Sequence, residues 1–62
     1  MLRRGEYTVH GASVRVRVLK VYYQSETKIA AKLQFVYKSG IVLETKQYNL
    51  KPDQITHWVR VD

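Results

Sequence analysis

The chain has 62 residues and no cysteine, and its 11 Lys and Arg against 5 Asp and Glu give a formal net charge of +6. This length corresponds to one domain, residues 1–62, and without cysteine neither a disulfide nor a thiolate metal site can stabilise it. The missing disulfides favour a reducing cytoplasm over secretion. No apolar run approaches the ~18 residues that a membrane span needs.

The chain begins with a short basic segment and a short strand. Residues 1–5 contain Arg3 and Arg4 and are interpreted as a flexible basic arm, with an ordered arm as the alternative. Tyr7 and Val9 then predict a first strand, which would lie opposite Val16 and Val14 across a turn at residues 10–13.

The middle of the chain predicts two long strands. Apolar residues alternate with basic ones from Val14 onwards and again from Ile29 to Tyr37, the period of two that marks a strand with one buried face. Residues 24–27 are a polar connection of hairpin length. If Gln24 faces Thr27, every cross-strand pair on one face is apolar, which supports this register: Val14 with Tyr37, Val16 with Phe35, Val18 with Leu33, and Tyr22 with Ile29.

The next connection, residues 38–40, predicts a three-residue hairpin loop with Gly40 in the left-handed position. It would place Tyr37 opposite Ile41 and Phe35 opposite Leu43. A two-residue loop would instead place Phe35 opposite Glu44, and we reject it for that reason.

The end of the chain predicts a helical turn and a last strand. Pro52 suits a first helical position because it fixes φ and loses no donor that is needed there, so a short helical turn is expected near residues 52–55. Residues 57–61 then form a fifth strand. The fold class is all-β, either a small five-stranded antiparallel SH3-like barrel or a curled meander, and fold alone does not give function.

The face opposite the apolar pairs is predicted to carry a basic band, partly neutralised because Glu6 falls opposite Arg17 and Glu44 opposite Gln34. Cations hold phosphates and aromatic rings stack bases in many nucleic-acid-binding proteins. The sequence therefore predicts a nucleic-acid-binding face, for DNA or RNA, with these residues: Arg15, Arg17, Lys28, Lys32, Lys46, Tyr23, Tyr48 and Trp58.

The same predicted face also carries apolar residues, which form either part of a barrel core or an interface. The interface interpretation gives the alternative function, a protein-binding regulator or inhibitor that acts on a host or partner protein or forms a homodimer. Its contact residues would be Leu19, Val21, Val36, Val42 and Leu50.

Catalytic and metal sites find little support. The two histidines, His10 and His57, have no obvious nucleophile or carboxylate partner, and the acids show no spacing typical of a zinc or calcium site. We therefore expect a non-enzymatic protein without a cofactor or metal.

One short motif carries a resemblance. Ile55-Thr56-His57-Trp58 resembles the closing strand of a family of uncharacterised short phage and prophage proteins, although Val59-Arg60-Val61 follows here in place of a tail that contains proline. The resemblance implies a mobile-element context and no particular activity.

Overall fold

The structure is a computed structural model that describes residues 1–9 and 11–61. His10, which belongs to the predicted first turn, lies outside the described residues. The described chain is all-β, with five antiparallel strands in one sheet and one 3₁₀ helix. The strands are β1 (Gly5–Val9), β2 (Val14–Gln24), β3 (Ile29–Tyr37), β4 (Val42–Leu50) and β5 (Trp58–Arg60), and the 3₁₀ helix is Pro52–Ile55.

The strands lie in the order β4-β3-β2-β1-β5, so β4 and β5 are at opposite edges. The sheet is curled but does not close into a barrel, so of the two predicted forms the curled meander is the one observed. The predicted helical turn at residues 52–55 is confirmed. It begins where the Lys51 amide donates to Gln54 Oε1, at 2.8 Å.

The first half of the predicted central register is confirmed. Val14 lies opposite Tyr37, Val16 opposite Phe35, and Val18 opposite Leu33. On the other side of β2, Tyr7 lies opposite Val16. The three-residue loop is also confirmed, because the Tyr37 amide donates to the Ile41 carbonyl at 2.9 Å and Gly40 has a φ of 100°.

The second half of the β2–β3 register was predicted wrongly. β2 holds one residue more than β3 between Val18 and Lys20, and again between Val21 and Tyr23, so it contains two β-bulges. As a result Gln24, and not Tyr22, lies opposite Ile29. The first bulge brings Val21 to the core side, which strict alternation from Val18 would have turned outward. The second bulge restores the original phase, so that Gln24 lies on the core side.

A third bulge corrects the predicted pairing of β3 with β4. Val36 lies opposite Val42, but Phe35 lies opposite Glu44, because β4 holds one extra residue at Leu43. The rejected pair of Phe35 with Glu44 is therefore present, although the loop has three residues. Beyond the bulge, Tyr48 lies opposite Ala31 and Leu50 opposite Ile29.

The core lies on one face of the sheet, which we call the core side; the other is the polar face. Val16, Val18, Ile29 and Leu33 are the largest fully buried side chains. Around them pack Leu2, Tyr7 and Ala31, with partly buried residues from all five strands and the 3₁₀ helix: Val9, Val21, Phe35, Tyr48, Leu50, Ile55 and Trp58.

The N-terminal segment is held against β2. Leu2 is buried, its amide donates to Gln24 Oε1 at 2.7 Å, and its carbonyl accepts from Gln24 Nε2 at 3.1 Å. The Gln24 side chain therefore satisfies both the amide and the carbonyl of the Leu2 backbone. No helix in residues 1–9 and 11–61 has the length and apolar character to cross a membrane.

Ile29→Val should lower the free energy of unfolding by about 0.5–1.5 kcal/mol, because it removes one methyl group from a fully buried site. Ile41→Val, the same change at a residue that is 62% exposed, should stay within about 0.5 kcal/mol of the parent. Urea denaturation followed by circular dichroism measures both. Equal losses in the two variants would contradict this assignment of the core.

Candidate functional site

The polar face is assembled from alternate residues of the strands. Its cations are Arg15, Arg17 and Lys20 from β2 and Lys32 from β3, and Glu6 of β1 is its one carboxylate in the described residues. Four cations against one carboxylate give this face a clear positive excess. The face also carries Gln34, Thr45, Gln47, Asn49 and Tyr23.

One row of this face is a chain of hydrogen bonds that crosses four strands. Arg17 binds Glu6 Oε1 through Nη2 at 2.8 Å and Nε at 3.2 Å, and donates from Nη1 to Gln34 Oε1 at 2.8 Å. Gln34 Nε2 donates in turn to Thr45 Oγ1 at 3.1 Å. Because Glu6 neutralises Arg17 and both ends of its guanidinium are engaged, this arginine ties β1, β2 and β3 together.

The next row contains two lysines that face each other. Lys20 lies directly opposite Lys32, both are exposed, and neither has a hydrogen bond or an ion pair among the described residues. Lys20 Nζ lies 5.2 Å from the centre of the Tyr22 ring. Like charges directly opposite each other destabilise a sheet. We call Lys20 and Lys32 the lysine pair.

Further cations lie in segments outside the strands. The Arg3 amide donates to the Tyr7 hydroxyl at 3.1 Å, and the Tyr7 hydroxyl donates to the Arg3 carbonyl at 3.0 Å, so the Arg3 backbone lies against this core-side residue. Arg3 and Arg4 are both exposed, as is Lys28, which closes the turn after β2.

At the other end of the polar face Arg15 stands between Thr8 and Val36. Its Nε atom is buried and has no hydrogen-bond partner in the part of the chain that the structure describes. Nor does the Arg15 guanidinium form an ion pair among the described residues.

The structure separates the eight residues that the sequence assigned to one face. Arg15, Arg17, Lys32 and Tyr23 do lie on the polar face, and Lys28 lies in the adjoining turn. The other three residues, Lys46, Tyr48 and Trp58, lie on the core side and were placed wrongly. The bulge at Leu43 shifts Lys46 and Tyr48 to that side, and Trp58 pairs with the core-side residue Val9.

The contacts of these three residues agree with the core-side placement. Lys46 lies opposite Leu33, with Nζ 5.9 Å from the Tyr48 ring centre. Tyr48 packs edge-on against Phe35, with 5.4 Å between the ring centres. The ring centre of Trp58 lies 6.0 Å from that of Tyr7.

Glu44 was also predicted on the wrong face. It lies opposite Phe35, and Thr45 takes the predicted place opposite Gln34. The Glu44 carboxylate accepts a hydrogen bond from the Tyr48 hydroxyl. This bond, together with the negative charge of Glu44, raises the pKa of Tyr48.

The alternative interface residues do not form one surface. Val21 and Leu50 pack against the core, Val36 is 4% exposed, and Leu19 is half-buried at a bulge. Of the five, Val42 alone is strongly exposed, at 51%.

Lys20 was not predicted to be part of the candidate site. Strict alternation places Lys20 on the core side with Val18, and the bulge between them moves it to the polar face. In residues 1–9 and 11–61 no group of three or more His, Asp or Glu side chains could hold a metal ion. The chain matches no family model, no curated protein and no solved structure.

Gln34→Ala should lower the free energy of unfolding by about 1 kcal/mol, because it removes the hydrogen bonds to Arg17 and Thr45. Gln47→Ala is the matched control. Gln47 is exposed on β4 and has no hydrogen bond in the described structure, so its replacement should change stability by less than about 0.5 kcal/mol. Urea denaturation of both variants tests the role of the row, and indistinguishable midpoints would show that the row does not stabilise the sheet.

Proposed function

We propose that this domain binds nucleic acid through the polar face of its sheet, with the lysine pair as the principal phosphate ligands. The observation that carries the proposal is the direct opposition of Lys20 and Lys32 without a neutralising carboxylate. Such a pair opposes folding by its mutual repulsion. A phosphate between the two ammonium groups would remove that repulsion.

The charge of the whole chain supports the same partner. The net charge of +6 favours association with a polyanion. Arg3, Arg4 and Lys28 are further exposed cations of the chain, and Arg15 adds a cation at the far end of β2. Phosphate contacts of this kind fix the position of a nucleic acid but do not read its sequence.

The four polar-face cations have different roles in this proposal. Arg17 is a positioning residue, because its donors are already bound to Glu6 and Gln34. Lys20 and Lys32 have free ammonium groups and bind phosphate directly. Tyr23, two positions from Val21 across a bulge, is the one aromatic of the predicted set that lies on this face.

A double charge reversal, Lys20→Glu with Lys32→Glu, should abolish most binding to a mixed-sequence oligonucleotide pool at about 50 mM salt, where phosphate contacts are strong. The less disruptive variants Lys20→Gln and Lys32→Gln should each reduce the slope of log K against log salt by about 1, because each removes one ammonium group from the phosphates. Fluorescence anisotropy between about 50 and 300 mM salt measures both effects.

The matched control is Lys38→Glu with Lys46→Glu. Each double reversal changes the charge by −4, from +6 to +2, but Lys38 lies in the β3–β4 loop and Lys46 on the core side. Binding should largely survive in this control. Equal reductions in the two doubles would indicate general attraction and exclude this face as the site, and a parent protein that binds no oligonucleotide would refute the proposal.

A second candidate function, a protein-binding regulator, is favoured by a different observation. Four apolar side chains are exposed around the β3–β4 loop: Tyr37 at 41%, Ile41 at 62%, Val42 at 51% and Leu43 at 48%. We call these four residues the hairpin tip. Strand addition at β4 is opposed by the bulge at Leu43 and by the charged Lys46 on its core side, so contact would be made by the side chains of the tip.

Val42→Asp tests this second candidate. If the tip mediates self-association, light scattering at about 300 mM salt, where phosphate contacts are weakened, should give a parent species above the monomer mass and a monomeric variant. The variant should keep the parent's circular dichroism spectrum, because Val42 is half-exposed and its side chain is not in the core. A monomeric parent would exclude self-association through the tip.

A further inference from the structure

The two bulges of β2 expose consecutive tyrosines. In a regular strand, neighbouring side chains point to opposite faces, so one of Tyr22 and Tyr23 would cover the core. Here the register places Val21 opposite Ala31 and Tyr23 opposite Ala30, which leaves Tyr22 as the extra residue. Tyr22 is 48% exposed and Tyr23 is 55% exposed. Bulges commonly re-aim side chains in this way near functional sites.

Neither tyrosine is used to build the domain. Four aromatic residues of the core side pack in pairs, Tyr7 with Trp58 and Phe35 with Tyr48. Tyr22 and Tyr23 take part in no such ring pair in the described residues, and neither hydroxyl has a hydrogen bond there. Tyr22 instead lies beside the ammonium group of Lys20.

The tyrosines adjoin the lysine pair. Tyr23 occupies the next polar-face position of β2 after Lys20, and its partner Ala30 is two residues from Lys32 on β3, a distance of about 7 Å along a strand. The residue opposite Tyr23 on β3 is Ala30, whose side chain is a single methyl group. Aromatic rings beside cations suit the binding of unpaired bases, because the rings stack on the bases while the cations bind the phosphates.

We infer that the nucleic acid bound here is single-stranded and that its bases stack on Tyr22 and Tyr23. This inference rests on the proposed function and specifies its substrate class. A duplex keeps its bases stacked within the helix and offers the rings only its backbone, so the tyrosines contribute to the binding of single strands alone. The lysine pair contributes to the binding of either form.

The test is the double variant Tyr22→Leu with Tyr23→Leu, measured by anisotropy with a labelled single strand and with the blunt duplex of the same sequence. Affinity for the single strand should fall by about 5- to 150-fold for each base that no longer stacks on a ring. The slope of affinity against salt should stay unchanged, since every phosphate-binding cation is still present. Tyr22→Phe with Tyr23→Phe keeps both rings and should bind like the parent.

Tyr37→Leu is the matched control. Tyr37 is also exposed, but it lies opposite Val14 at the other end of the sheet, so its replacement should leave affinity unchanged. Circular dichroism and urea midpoints confirm that each variant is folded before its affinity is compared.

The outcomes distinguish a failure of this inference from a failure of the proposed function. If the parent binds the duplex as tightly as the single strand, or if the double leucine variant binds the single strand like the parent, the inference is overturned. If binding is then still abolished in the Lys20→Glu, Lys32→Glu variant, the proposed function stands without it. If the parent binds neither form, both are refuted.

Discussion

One constraint governs this domain: a single sheet of five strands has one core side, and every strand must keep its apolar residues on that side. β2 meets the constraint for Val14, Val16 and Val18 by simple alternation, but the following residues are Leu19, Val21, Tyr22 and Tyr23, with Lys20 among them. The first of two bulges brings Val21 to the core side, and the second restores the original phase, which places Gln24 on that side as well. Gln24 can then bind the Leu2 backbone, which places Leu2 in the core.

The polar face shows how differently cations with the same charge are used. Arg17 is enclosed by Glu6 and Gln34, and its hydrogen bonds continue to Thr45 on the edge strand. Exposed ion pairs contribute little, but here the arginine also supplies donors to a neighbour and so holds a specific register between β1, β2 and β3. An arginine suits this position because its planar fork presents several donors in fixed directions.

Much of this fold could be predicted from sequence, since alternation, turn residues and Pro52 are local signals. The all-β class, the first half of the β2–β3 register and the loop at Gly40 followed from them. The bulges did not, because no residue type marks a bulge, and one extra residue reverses the face of every side chain beyond it. This is why Lys46, Tyr48 and Leu50 were assigned to the wrong face.

A signal for the β4 bulge was nevertheless present in the sequence. From Thr45 to Leu50, the apolar Tyr48 and Leu50 alternate with the polar Gln47 and Asn49. That local pattern is out of phase with Ile41 and Leu43, and the two phases can be joined only by an extra residue between them. By contrast, the position of Leu2 depends on its bonds to Gln24, which lies 22 positions away along the chain and gives no local signature.

The remaining question is which cations the fold itself needs. Arg17 links strands, and Lys46 places a charge on the core side of the β4 edge, a device that discourages edge-to-edge pairing. Both are explained by structure. Lys20 and Lys32 are not explained by structure. An opposite charge on the neighbouring strand would stabilise each of them, but each lies opposite the other lysine. Under the proposed function, the bound nucleic acid would supply the missing negative charge beside Lys20 and Lys32 and place its bases on Tyr22 and Tyr23.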